Sequence, residues 1–390
     1  MAEPRTFGRP RPSQRRVQFT LAQPNFPGRP EQPLPTPTGA APYRLDLAEV
    51  LPADLMAEIV AQGRLVVHTV GDTGGVKDPA PQQLVASGLE ADFGAALPSS
   101  NPAFFYHLGD VVYYNGESRE YAPQFYDPYE HYLAPIFAIP GNHDADPLGD
   151  PAHPAEPSLS AFVRNFCAPT PGVTVDAGES ARSAMTQPNV YFTLQTPLAT
   201  FVGLYTNVPE FGRVGPEQRA WFEQELRDAP RDRPLVVGMH HPVYSADDHH
   251  SGSGVMLEVL EGAVAASGRW PDLVLAAHVH DYQRFTRRVA GREVPFLVVG
   301  GGGYWHLHTV AQVNGQRLST PYILPGSDVT LEKYVDDRHG FLRLEFTPQR
   351  ITGLFYTVPR PQEPWSGHAK LADRFDLDWK KAALVPQGTG

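Results

Sequence analysis

Residues 64–75 read RLVVHTVGDTGG, an apolar run that ends abruptly at Gly71-Asp72 and continues as Thr73-Gly74-Gly75. A short apolar run bounded by glycines is the pattern of a strand buried on both faces, as inside a parallel sheet. Working outward, PAFFYHL, PIFAIP, VYFTLQ, ATFVGLY, RPLVVGM and PDLVLAA repeat it. Helical windows lie between several of these runs: PEQRAWFEQELRDA at 216–229, opening on Pro216 as a first-turn proline, and VMLEVLEGAVAAS at 255–267. Strand, helix and strand in alternation make the body α/β. After residue 280 the pattern turns to β, and GFLRLEF and RITGLFYTV around Thr-Pro-Gln-Arg predict a terminal hairpin.

Composition bounds the rest. The chain has 390 residues, with 35 Gly and 41 Pro, so long loops are expected around a folded body. Residues 1–43, including PEQPLPTPTGAAP, are read as a Pro-rich lead-in without fixed structure, 44–360 as the single catalytic body, and 361–390 as an irregular tail. A net charge of −11 argues against nucleic acid or an anionic membrane as partner, so a phosphate-bearing substrate would need local positive charge. Cys167 is the only cysteine, which excludes an intramolecular disulfide. No apolar run reaches the roughly 18 residues of a membrane span. Arg15-Arg16 faintly resembles an export signal, but Gln, Asn and Pro interrupt the stretch that follows, and a cytoplasmic location is expected.

The ends of the apolar runs carry the chemistry. They close on Asp72, on Asp110, on Asn142-His143-Asp144, on His240-His241 and on His278-Val-His280. In open α/β sheets the carboxyl ends of strands line the ligand crevice. The His-x-His spacing puts both imidazoles on one face of a strand. Aspartate can bridge cations, Asn offers a carbonyl oxygen, and imidazole suits Zn, Fe, Cu or Ni. Two cations ~3.5–4 Å apart clamp the attacking and leaving oxygens of an in-line displacement at phosphorus. A dinuclear phosphoesterase site is the economical reading.

The ordered string GDTG, GDVVY, GNHD, VGMH and AHVH resembles the five blocks of the calcineurin-like metallophosphoesterases, and more narrowly the purple acid phosphatase branch. Most of that superfamily begins with Asp-x-His; here Gly74 takes the His place and Tyr113, three residues after Asp110, takes over as ligand, as in the purple branch. The resemblance implies a four-layer sandwich, two mixed β-sheets flanked by helices, with the metals at the strand C-terminal ends. It also implies that Asp72, Tyr113 and His280 hold one metal, Asn142, His240 and His278 the other, and that Asp110 bridges. The phenolate of Tyr113 would favour Fe(III) and a violet colour, with Zn(II), Mn(II) or Fe(II) as the second ion.

By the same resemblance a metal-bound hydroxide attacks a small phosphate ester, His143 stabilises the transition state, and His249 or His250 protonates the leaving group. Asp144 and Arg284 would orient the ligands. His241 should point away from the site, His306 and His308 are candidates for the pocket wall, and Gly300–Gly303 form a tight strand exit. Asp247 and Asp248 read as solvated charges unless they tune a histidine. Ala277 stands where the family has a glycine, a concern if that position needs a positive φ. No leader and no fibronectin-like domain of the large plant members is expected in the N-terminal segment. The expected activity is a phosphomonoesterase. A phosphodiesterase or nucleotide hydrolase on the same site, and a metal-binding scaffold without activity, stand as alternatives; the oligomeric state is left open.

Overall fold

The apolar runs become short strands in the computed structural model of the protein, which describes residues 29–147, 154–313 and 316–386. In chain order they are β1 (Arg44–Asp46), β2 (Leu65–Val70), β3 (Phe104–His107), β4 (Ile136–Ala138), β5 (Phe192–Gln195), β6 (Thr200–Gly203), β7 (Leu235–Gly238), β8 (Leu273–Ala276), β9 (Tyr282–Val289) and β10 (Arg292–Val299). All residues of β2, β3, β4, β6, β7 and β8 are buried, which is why they read as continuous apolar runs rather than alternating ones.

Two mixed sheets result. One has seven strands, in the order Ala383–Leu384, Lys370–Asp378, Arg350–Thr357, Gly340–Phe346, β2, β3, β4. The other has nine, in the order β1, β5, β6, β7, β8, β10, β9, Val329–Val335, Tyr322–Ile323. β2, β3 and β4 run parallel, and so do β6, β7, β8 and β10. The sheets meet face to face through aromatic rings: Phe104 and Tyr106 of β3 lie 5.5 and 5.4 Å from Phe201 of β6. Gly203 and Gly238 leave the room that the Tyr106 ring fills.

Helices flank the sandwich. Pro216–Asp228 starts on Pro216, as expected, and buries Trp221, Phe222 and Leu226. Gly254–Ser267 is capped by the Ser253 hydroxyl accepting from the Met256 N–H, and it ends at Gly268 with φ 68°. Parallel strands on both sheets send their carboxyl ends to one edge, where the Gly71 N–H donates to the Val299 carbonyl at 2.9 Å and joins the two sheets.

Three expectations change. Residues 361–390 are not a wholly irregular tail, because Lys370–Asp378 pairs along Arg350–Thr357 and extends the sheet. That strand is charged and half exposed, so no apolar alternation betrays it. The described part of the Pro-rich segment carries no fixed secondary structure before residue 43 but is docked: the Gln32 N–H donates to Asn207 Oδ1 at 2.8 Å and the Gly39 N–H to the Pro188 carbonyl at 2.8 Å. The Arg15-Arg16 pair lies outside the described residues. The expected hairpin forms, with Gly340–Phe346 antiparallel to Arg350–Thr357, though it is interior to its sheet rather than terminal.

Candidate metal centre

The strand tips bend sharply. Asp72, Asp110 and His278 take φ of 55°, 52° and 67°, the left-handed region that disfavours side chains. Three strained residues at one sheet edge are the kind of backbone outlier that gathers at functional sites. Ala277 is not among the positive-φ residues; the left-handed turn falls one residue later, so the missing glycine costs nothing there.

The bends bring seven side chains together. The Tyr113 hydroxyl lies 3.2 Å from Asp72 Oδ1 and 3.3 Å from His280 Nε2, and that nitrogen is 3.5 Å from the same Asp72 oxygen. On the other side, Asn142 Oδ1 is 3.1 Å from His240 Nε2 and 3.0 Å from His278 Nδ1. Asp110 Oδ2 stands 3.4 Å from His240 Nε2, and Asp72, Asp110 and His240 form a buried ligand cluster. These are the two expected triplets, with Asp110 beside the second.

The donor set fits cations. His240 Nδ1 is 2.9 Å from the Leu108 carbonyl and His280 Nδ1 is 3.1 Å from the His306 carbonyl, so each ring donates there and turns Nε2 inward. The inward Nε2 atoms face carboxylate and amide oxygens, a cluster whose negative charge a cation, or on His240 a second proton, offsets. Burial works against charge on His240, but Asp110 and Asp72 outweigh it and lift it to about 9. Burial, with Asp110 beside it, pushes Asp72 up to about 7. Asp110 stays below the usual carboxylate range, because His240 and His143 overcome its burial. Burial holds His280 down at about 3 and His278 well below its ordinary value, keeping both imidazoles neutral and fit to ligate. The cluster is short of positive charge.

The coupled change at Gly74 and Tyr113 has a steric cause. A Cβ on residue 74 would stand 2.7 Å from Tyr113 Cδ2 and 2.4 Å from Gln124 Oε1. The tyrosine ring occupies the volume that a side chain at 74 would need.

Asp144 accepts the Val111, Val112 and Gly141 N–H groups at 3.0, 3.2 and 2.8 Å, tying the Asp110 loop to the Asn142 loop. His143 donates its backbone N–H to Asp110 Oδ1 at 2.8 Å, and its ring packs 4.6 Å from Tyr113. Arg284 does not reach the ligands. Its guanidinium binds Asp373 at 2.7 Å, so it clamps β9 to Lys370–Asp378 across the two sheets. Its closeness to His280 in sequence misleads, since β9 carries it away from the site.

The two candidate proton donors separate. His249 is 71% exposed and leans toward Asp248. His250 turns inward, its ring 4.7 Å from His278, and its Nδ1 is 2.6 Å from Glu210 Oε1. Burial opposes a proton on His250, but Glu210 more than offsets this and raises its affinity for one. Glu210, in the loop after β6, was not singled out in the sequence, because its only signal is spatial. Asp247 is buried, 3.2 Å from His308 Nδ1, and accepts the His250 N–H at 2.8 Å, so it is a structural carboxylate. Asp248 meets the Thr309 hydroxyl at 3.2 Å. His308 stacks on His280 at 4.3 Å, whereas His306 is exposed and offers its carbonyl. His241 is buried against Thr206 at 2.7 Å yet lies 4.4 Å from the His278 ring, nearer than a residue pointing away.

Residues 66–282, more than half of the chain, match the calcineurin-like phosphoesterase family, and the chain belongs to that family. Within it, the chain is similar to purple acid phosphatases. It is 26% identical to purple acid phosphatase 18 of Arabidopsis thaliana over 165 residues, 40% of this chain and 34% of that protein. It is 30% identical to probable purple acid phosphatase 20 of the same plant over 151 residues, 37% of this chain and 32% of that one. The chain thus spans about a third of the length of the curated relatives it matches. A purple acid phosphatase from yellow lupin (Lupinus luteus) seeds shares the fold, with TM-score 0.55, 17% identity, and coverage of 82% of this chain and 55% of that one. PhoD does so with TM-score 0.51, 13% identity, and coverage of 83% and 71%.

Proposed function

We propose that the protein hydrolyses small phosphate monoesters with a dinuclear centre of Fe(III) and a divalent Zn, Mn or Fe ion. The observation that carries this reading is the Tyr113 hydroxyl 3.2 Å from Asp72 Oδ1, in the space that Gly74 leaves open. A phenolate there gives one site a hard anionic donor suited to a trivalent ion, while the Asn142, His240 and His278 triplet suits a divalent one. Bound there, the ions supply Lewis acidity that draws charge from the phosphoryl oxygens and activates water.

The chain's own groups do the rest. The Leu108 and His306 carbonyls hold His240 and His280 in the tautomer that points Nε2 inward. Asp144 locks the two loops that carry Asp110 and Asn142. His143, half-buried beside Asp110, is the group assigned to stabilise charge on the phosphoryl oxygens. His250 is the proton donor: Glu210 on Nδ1 leaves Nε2–H free to protonate the departing alkoxide.

The test is metal analysis with a visible spectrum of oxidised protein, beside Tyr113→Phe. The expectation is two metals per chain, a visible band that Tyr113→Phe abolishes, and faster turnover of a nitrophenyl monoester than of the bis-ester. A colourless iron-loaded wild type, or a band unchanged in the variant, sinks the Fe(III) assignment. Preference for the bis-ester favours a diesterase.

A further inference from the structure

Beyond the phosphoryl site, an aromatic row lies along one side of the centre. The Tyr304 ring packs 4.4 Å from Tyr113 and 4.5 Å from His280, both candidate ligands. From Tyr304 the row continues to Tyr114 at 6.4 Å on one side and to Trp305 at 6.2 Å on the other. Tyr114 also anchors the site, because its carbonyl accepts from His143 Nδ1 at 2.8 Å. Both ends of the row are open to solvent: Tyr114 is 38% and Trp305 39% exposed, and Tyr304 between them is half-buried.

Isolated exposed aromatics are ordinary, but a contiguous row abutting a polar, charged centre is not. Lys77 stands 4.7 Å over the Trp305 ring, which steadies the indole and adds a cation at the rim of an otherwise acidic chain. Partly exposed rings beside a phosphate-binding centre offer a stacking surface, with one Trp305 face taken by Lys77, and every planar ring has a complementary face.

We propose that Tyr114, Tyr304 and Trp305 form a leaving-group subsite that selects phosphate monoesters whose alcohol carries a planar aromatic ring, aryl esters or nucleotides. This rests on the hydrolase reading above and names its substrate class. The phosphoryl group would sit at the metal ligands and the ring against the row, with the anionic ester also drawn by Lys77.

The experiment compares two competitive phosphonates of like size, benzylphosphonate and cyclohexylmethylphosphonate, with inorganic phosphate as reference, on the metal-loaded protein. The expected result is an inhibition constant about three- to tenfold lower for the planar compound. In Trp305→Leu and in Tyr114→Leu that ratio should fall toward one, a readout that a change in folded fraction does not move. Equal constants in the wild type, or a ratio that survives both substitutions, overturns the subsite while phosphate inhibition still supports the hydrolase reading. Protein that hydrolyses monoesters of neither kind and binds neither phosphate nor phosphonate overturns that reading, and the subsite with it.

Discussion

Glu210 and His250 set the proton economy of the site. A neutral histidine in a loop is held loosely, but a carboxylate 2.6 Å from Nδ1 accepts the Nδ1–H, fixes the ring plane and favours the imidazolium, whose second hydrogen sits on Nε2. Glu210 therefore acts through His250 as a positioning residue. Glu210→Gln should lower kcat about 10- to 100-fold on an alkyl phosphate, whose leaving group needs the proton, and far less on a nitrophenyl ester, whose leaving group does not. Equal losses on both esters would show a merely structural role. Gly74 is the opposite case, a residue whose value is the absence of a side chain. The sequence exposes it as a departure from Asp-x-His, and the steric reason, a Cβ 2.7 Å from the Tyr113 ring, becomes visible only in three dimensions.

Between elements, one partly buried ionic network ties β2 to its neighbours. His68 of β2 is 2.9 Å from Asp92, just past the helix Ala80–Glu90, and Arg343 of the strand Gly340–Phe346 binds the same carboxylate. Arg343 also donates to the Ser100 carbonyl at 2.9 Å. Burial works against charge on Asp92, but His68 and Arg343 hold its carboxyl below the usual range. Burial likewise pushes His68 below its ordinary value. Both groups lose protons more readily folded than unfolded, so their contribution is present at neutral pH. It is lost for His68 as pH falls below about 6.5, and for Asp92 below about 3.9. Asp92→Asn should cost about 1–2 kcal/mol in urea unfolding at pH 7, and the deficit should shrink toward pH 3. A deficit that does not depend on pH would mean the pair adds nothing electrostatic. The strands of this network were legible as apolar runs, but its partners, 24 and 251 residues apart in sequence, were not.

For the whole molecule, the ligand cluster makes stability depend on metal. Asp72, Asp110 and His240 are buried together, with His278 Nδ1 3.0 Å from Asn142 Oδ1 beside them. Removing cations leaves those groups facing one another, and binding that favours the folded state contributes about 4 kcal/mol at a thousandfold excess over Kd. Chelator-treated protein should melt several degrees lower and recover on adding iron and zinc; an unchanged Tm would mean that the cluster holds no ion. The amino-acid sequence by itself determined the α/β class, the seven apolar strands of the two sheets and six of the seven candidate ligands. Period, burial and strand-end chemistry are local properties, written in contiguous residues. Tyr113 came instead from the family resemblance, through its pairing with Gly74 in a separate motif. Only the tertiary structure decided that His250 rather than His249 turns inward, that Glu210 holds it, that Arg284 belongs to Asp373, and that an aromatic row flanks the metals. Each of these depends on which distant segments the two sheets bring to a shared edge, and long-range proximity leaves no local pattern in a single chain.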